Sequence, residues 1–139
     1  MKHVWIIDDD EEMNRTVGLM LKLLDCEVAS FFNVRSAAKT LLISRRPDLI
    51  ILNLNMTEVS GLDMVEFLRR RPESKNTPIV MLSSESKDTI VDKALELGAD
   101  SYVTQPVTIE ELEKAIQTAF IKHPIPEKEK INEKQQDQE

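Results

Sequence analysis

Residues 47–53 read PDLIILN: a proline, the unbroken apolar run from Leu49 to Leu52, then the amide Asn53. A strand with one wet face alternates apolar and polar residues, whereas a run that is apolar at every position belongs to a strand covered on both sides. Residues 78–83, PIVMLS, repeat the pattern, with Ile79 to Leu82 behind Pro78. Val4 to Ile7, Val28 to Phe32 and the short pair Tyr102 and Val103 supply three more strand candidates, separated by longer stretches of helical periodicity. Met13, Val17, Met20, Leu21 and Leu24 share one helical face, as do Ile109, Leu112, Ile116, Ala119 and Phe120. Gly98 follows the helical run from Asp88 to Leu97, where a helix C-terminus favours a residue tolerant of positive φ. Five strand-then-helix repeats predict an α/β fold of three layers, a doubly wound five-stranded parallel sheet with helices on both faces.

A chain of 139 residues suits one domain with one hydrophobic core. The longest apolar run near the start is far short of the roughly 20 residues a membrane span needs, so a soluble, cytoplasmic protein is expected, with no membrane partner. Cys26, the one cysteine, has no partner for a bridge and reads as a small packed residue. The formal charge of −7, with Lys and Arg scattered, argues against a nucleic-acid surface. The cluster Arg69, Arg70 and Arg71 reads as the solvated end of a helix. After Phe120 the apolar stripe stops and residues 123–139 become HPIPEKEKINEKQQDQE. The expected division is a domain over residues 1–123 and a charged tail or linker over 124–139.

In an open parallel sheet ligands bind outside the carboxyl ends of the strands. The first strand ends in Asp8 and Asp9, the third in Asn53, the fourth in Ser83 and Ser84, the fifth in Thr104, Gln105 and Pro106. All these polar residues fall on one edge. Taken alone, the acidic run Asp8 to Glu12 also suits a helix start, where carboxylates cap free amides.

The stretches VWIIDDDEEM, PDLIILNLNMTEVSGLDMVEFLR, TPIVMLSSES and ALELGADSYVTQPVTIEEL resemble, in order and separation, the receiver domains of bacterial response regulators from about His3 to about Lys122. The resemblance implies a flavodoxin-like (βα)5 fold with strand order 2-1-3-4-5. It also implies that Asp8 and Asp9, with the backbone carbonyl of Asn55, form a weak candidate Mg²⁺ site. The phosphoacceptor aspartate position is Asn53, the hydroxyl residue Ser83, the aromatic switch Tyr102 and the fifth-strand lysine Gln105. Thr57 stands where the family commonly has proline, and Gln105-Pro106 matches a peptide bond that is commonly cis.

An amide cannot form the acyl phosphate that a carboxylate nucleophile forms, and Gln105 brings no charge to a phosphoryl oxygen. The expected function is therefore an atypical receiver: a non-enzymatic protein-interaction module of two-component (phosphorelay) signalling, unphosphorylated at the usual site. Its expected partner is a histidine kinase, another regulator or an output domain. Its contact face spans Lys87 to Gly98 and Tyr102 to Phe120, the fourth helix, fifth strand and fifth helix, which also form a candidate homodimer face. The rival is a phosphoaccepting receiver that uses Asp8 or Asp9 with Mg²⁺ and a small phosphodonor or histidine kinase. A flavodoxin-like cofactor binder would need a Gly-rich phosphate loop, which the chain lacks. The charge-cancelling pair of replacements predicts a hydrogen bond between Asn53 and Gln105, direct or through one water.

Overall fold

The computed structural model describes residues 2–44 and 46–124, so most of the expected tail lies outside the described residues. The elements run β1 (Lys2–Ile7), α1 (Glu11–Leu23), β2 (Cys26–Phe31), α2 (Val34–Ile43), β3 (Leu49–Asn53), α3 (Gly61–Arg70), β4 (Ile79–Ser83), α4 (Asp88–Leu97), β5 (Ser101–Thr104) and α5 (Ile109–Lys122). All strand pairs are parallel and the order is β2-β1-β3-β4-β5, as expected.

The unbroken apolar runs divide between two cores because successive side chains leave a strand on opposite sides. Val4, Ile6, Leu49, Ile51, Val80 and Leu82 pack with Val17 and Leu21 of α1 and Leu112, Ile116 and Ala119 of α5. Trp5, Ile7, Ile50, Leu52, Ile79 and Met81 face Leu41 of α2, Met64 and Leu68 of α3 and Ala94 of α4. Cys26 is buried in the first of these cores, and burial pushes its thiol pKa up, as suits a packing residue. Among the described residues, no helix is long and apolar enough to cross a membrane.

The Arg69–Arg71 cluster is not uniformly solvated. Arg70 is exposed and pairs with Glu66, but the Arg69 side chain is only 15% exposed. Its guanidinium donates to the carbonyls of Gly98 (2.9 Å), Lys75 (3.1 Å) and Thr77 (2.6 Å) and to Asp100 Oδ2 (3.0 Å). None of these acceptors belongs to the last turn of α3; the cation gathers the loop before β4 and the turn before β5 instead. Gly98 is required twice over: its φ is +127°, and a Cβ there would lie 2.6 Å from Arg69 Cγ.

Candidate functional site

The site forms because parallel registry brings distant strand ends level. Ile7 pairs with Leu52 and Asn53 with Leu82, so the residues following them meet at the carboxyl edge. The ladder continues past the strand ends: the amide of Asp8 donates to Phe31 O, that of Leu54 to Leu82 O, and that of Gln105 to Ser83 O. Asn14, buried within α1, donates from Nδ2 to the carbonyls of Asp8 (3.1 Å) and Phe31 (3.2 Å), tying the ends of β1 and β2 to the helix. Periodicity gave no sign of this role, since a polar residue on an apolar stripe reads as an interruption. Gly61 lets α3 start against the end of β3: a Cβ there would fall 2.4 Å from Asn53 O and 2.7 Å from Leu54 Cα.

The three consecutive aspartates have three different tasks. Asp10 is the cap of α1, accepting from the amide of Met13. Asp9 Oδ2 accepts from both the backbone amide (2.7 Å) and the hydroxyl (2.8 Å) of Thr57. A proline at 57 would have neither donor, so this departure from the resembling family has a visible partner. Asp8 is 1% exposed; its Oδ1 accepts from the amide of Asp10 and from Asn53 Nδ2, both at 3.0 Å, while its buried Oδ2 has no hydrogen-bond partner. Burial pushes the Asp8 pKa from 3.8 up to about 6, the charges of Asp10 and Asp9 adding to the rise while the two donated hydrogen bonds oppose it.

Asn53 Nδ2 also donates to the carbonyl of Asn55 at 3.0 Å. Two oxygen acceptors around one atom fix which end of the amide is nitrogen, because the reversed group would set oxygen against oxygen. The expected direct bond between Asn53 and Gln105 is not formed. The carboxylate of Asp8 is a stronger acceptor than an amide oxygen and engages the donor instead, and no hydrogen bond of the Gln105 side chain is found among the described residues. The Gln105–Pro106 bond is cis, as expected.

Ser83, fully buried, accepts at Oγ from the amide of Glu85 (2.9 Å), with Asn55 Nδ2 at a long 3.4 Å. Tyr102, packed on the α2–α3–α4 side, donates its hydroxyl to the carbonyl of Glu85 at 2.8 Å. The two hydroxyls thus hold one residue of the loop after β4 from its amide and its carbonyl. Asp8, Asp9, Asn53, Asn55 and Ser83 are brought together, and Tyr102 joins them through Glu85.

The resemblance implies a divalent cation on Asp8, Asp9 and the Asn55 carbonyl. As arranged, these atoms do not fit one. One oxygen of each aspartate and the Asn55 carbonyl accept hydrogen bonds from Asn53 and Thr57, leaving Asp8 Oδ2 and Asp9 Oδ1 without one, and among the described residues no group of three or more His, Cys, Asp or Glu side chains is placed to hold a metal ion.

A family model described as the response regulator receiver domain matches residues 4–117. The chain is 32% identical over 115 residues to protein PilG of Pseudomonas aeruginosa, covering 81% of this chain and 83% of that one. It is 35% identical over 109 residues to hybrid signal transduction histidine kinase D of Dictyostelium discoideum, covering 78% of this chain and 7% of the kinase. The chain spans half or less of the length of several curated relatives it matches. Among solved structures, the chemotaxis response regulator CheY4 of Vibrio cholerae superposes with a TM-score of 0.78 at 28% identity, covering 86% of this chain and 98% of that one. With the family model matching residues 4–117 and its sheet in the order β2-β1-β3-β4-β5, the chain belongs to the response regulator receiver domain family of two-component signalling.

Proposed function

We propose that this receiver domain signals through protein contacts and carries no phosphoryl group at the position where its family accepts one. The observation that carries the reading is Asn53: it ends β3 level with Asp8, and its amide is both a poor nucleophile and already engaged with Asp8 and Asn55. Gln105 supports it, since no ammonium stands ready to meet phosphoryl charge. The domain is not an enzyme in its own right on this reading. It works in the cytoplasm, apart from nucleic acid and membrane, on a histidine kinase, another regulator or an output domain.

The contact face is α4, β5 and α5, which is also the candidate homodimer face. Tyr102 belongs to it, and through Glu85 its hydroxyl connects that face to the buried Ser83. Asp8 and Asp9 are poor alternative phosphoacceptors: Asp8 is buried, and Asp9 is held by two hydrogen bonds from Thr57.

Incubation with acetyl phosphate and Mg²⁺, followed by intact-mass measurement, tests the proposal. The expected result is no gain of a phosphoryl group. A gain mapped by peptide fragmentation to Asp8 or Asp9 would establish the phosphoaccepting alternative.

A further inference from the structure

Resting on the reading that Asn53 accepts no phosphoryl group, we infer that the Asn53 side chain occupies the place of the divalent cation, so that this domain assembles its site without a metal ion. A primary amide nitrogen carries two hydrogens, and here both have acceptors: Asp8 Oδ1 and the Asn55 carbonyl, each 3.0 Å away. Those atoms belong to two of the three residues that the resemblance gives to the metal. The third ligand is withdrawn separately, since Asp9 Oδ2 takes the amide and hydroxyl of Thr57. A small divalent cation needs lone pairs converging on one point about 2.1 Å from each oxygen, and it sheds water reluctantly. Donors on Asn53 and Thr57 already use a lone pair on each of Asp8 Oδ1, the Asn55 carbonyl and Asp9 Oδ2. Asp8 Oδ2 and Asp9 Oδ1 take no hydrogen bond among the described residues, so occupation of the site rests on Asp8 Oδ1, the Asn55 carbonyl and Asp9 Oδ2 being engaged.

The amide also does the cation's structural work. Asn53 ends β3, Asn55 lies in the loop that leaves it, and Asp8 directly follows the neighbouring strand, so the Nδ2 bridge pins that loop to the end of β1. Thr57 pins it a second time through Asp9. Electrostatically the substitution is milder than an ion, because two donated hydrogen bonds answer part of the negative charge near Asp8 without adding a full positive one.

The inference separates two causes of weak metal binding: loss of a carboxylate ligand and active occupation by the amide. Asn53→Ala removes the amide and supplies no new ligand, whereas Asn53→Asp does both. The probe is Mn²⁺ alone, added to the ¹⁵N-labelled full chain, with paramagnetic broadening of backbone amides as the readout. The wild type is expected to show no selective broadening at Asp9, Asn55 and Thr57 up to about 1 mM, a concentration sufficient for an ordinary weak carboxylate site. Asn53→Ala is expected to bind about threefold to tenfold more tightly than wild type, about 0.6–1.4 kcal/mol when converted by RT ln K, and Asn53→Asp more tightly again.

Selective broadening of the wild type at lower Mn²⁺, or an Asn53→Ala affinity no greater than wild type, would overturn the inference. If Asn53→Ala unfolds, Asn53→Ser takes its place, since it too removes the amide and supplies no carboxylate, and an affinity no greater than wild type refutes occupation by the amide. Failure of the underlying reading shows elsewhere, as a mass gain with acetyl phosphate, whatever Mn²⁺ does.

Discussion

Replacing Arg69 by Met keeps much of the apolar stem and removes the guanidinium, which tests how the carboxyl half of the sheet is held. Asp100 is 4% exposed and receives Arg69 at 3.0 Å, the amide of Ile79 at 2.8 Å and a contact from His123 Nδ1 at 2.9 Å. Removing one partner of a buried ion pair typically costs about 3–5 kcal/mol, because the other charge stays desolvated. The Ile79 amide, which still satisfies Asp100 Oδ2, and the exposure of Lys75 place the expected loss near the low end, about 3 kcal/mol, although Ser74 and Thr77, whose carbonyls also lose a donor, are buried. With a urea m-value of about 2 kcal/mol/M for a domain of this size, the midpoint should fall by about 1.5 M.

Urea unfolding followed by Trp5 fluorescence and circular dichroism measures it, both probes giving one transition if unfolding remains two-state. A double-mutant cycle with Asp100→Asn isolates the pair, with an expected coupling of about 2 kcal/mol. A loss below about 1 kcal/mol for Arg69→Met, with unchanged m, would refute the claim that this side chain organises the turns before β4 and β5. The consequence for the site is positional: Asp100 directly precedes the strand that carries Tyr102 and leads to Gln105.

Three further outcomes are expected. Because the folded-state pKa of Asp8 is raised from 3.8 to about 6, the folded protein holds a proton that the unfolded chain releases between those values. Stability should therefore fall as pH rises from about 4 to about 6, by up to about 3 kcal/mol at 1.36 kcal/mol per pH unit, and Asp8→Asn should flatten that slope in urea titrations. Gly61→Ala should cost about 1–3 kcal/mol, since the added methyl would meet backbone rather than a movable side chain; a thermal midpoint unchanged from wild type would contradict the close approach. Tyr102→Phe should cost about 1 kcal/mol by loss of the bond to Glu85 O, with faster amide hydrogen exchange confined to the loop after β4.

The apolar runs and their helical spacers were enough to give five strand-then-helix units, because an all-apolar strand has few ways to be buried other than between two layers of helices. Boundaries moved by a residue or two, as at β2, which begins at Cys26 rather than Val28. The polar strand ends, the amide at 53 and the uncharged Gln105 were equally legible, since they are identities and need no coordinates. What could not be read was which acceptor each donor takes. Asp8, Asp9 and Asp10 are adjacent and chemically alike, yet one is buried against Asn53, one is held by Thr57 and one caps a helix.

The same limit misplaced Arg69 and the amide of Asn53. A basic triplet at a helix end gives no sign that one member turns inward to Asp100, 31 residues on, and a pair of complementary replacements suggests a direct bond where the donor in fact goes to the Asp8 carboxylate. Periodicity reports how buried a position is, because burial follows the local repeat of a helix or strand. Partner choice follows instead from registry between strands 45 residues apart and from the path of the loop that brings Thr57 to Asp9, 48 residues away. Residue identities alone thus gave a receiver fold with an amide at its phosphoacceptor position, whereas the partners of that amide depended on the fold, because the sheet and the loop together bring its two acceptors to it.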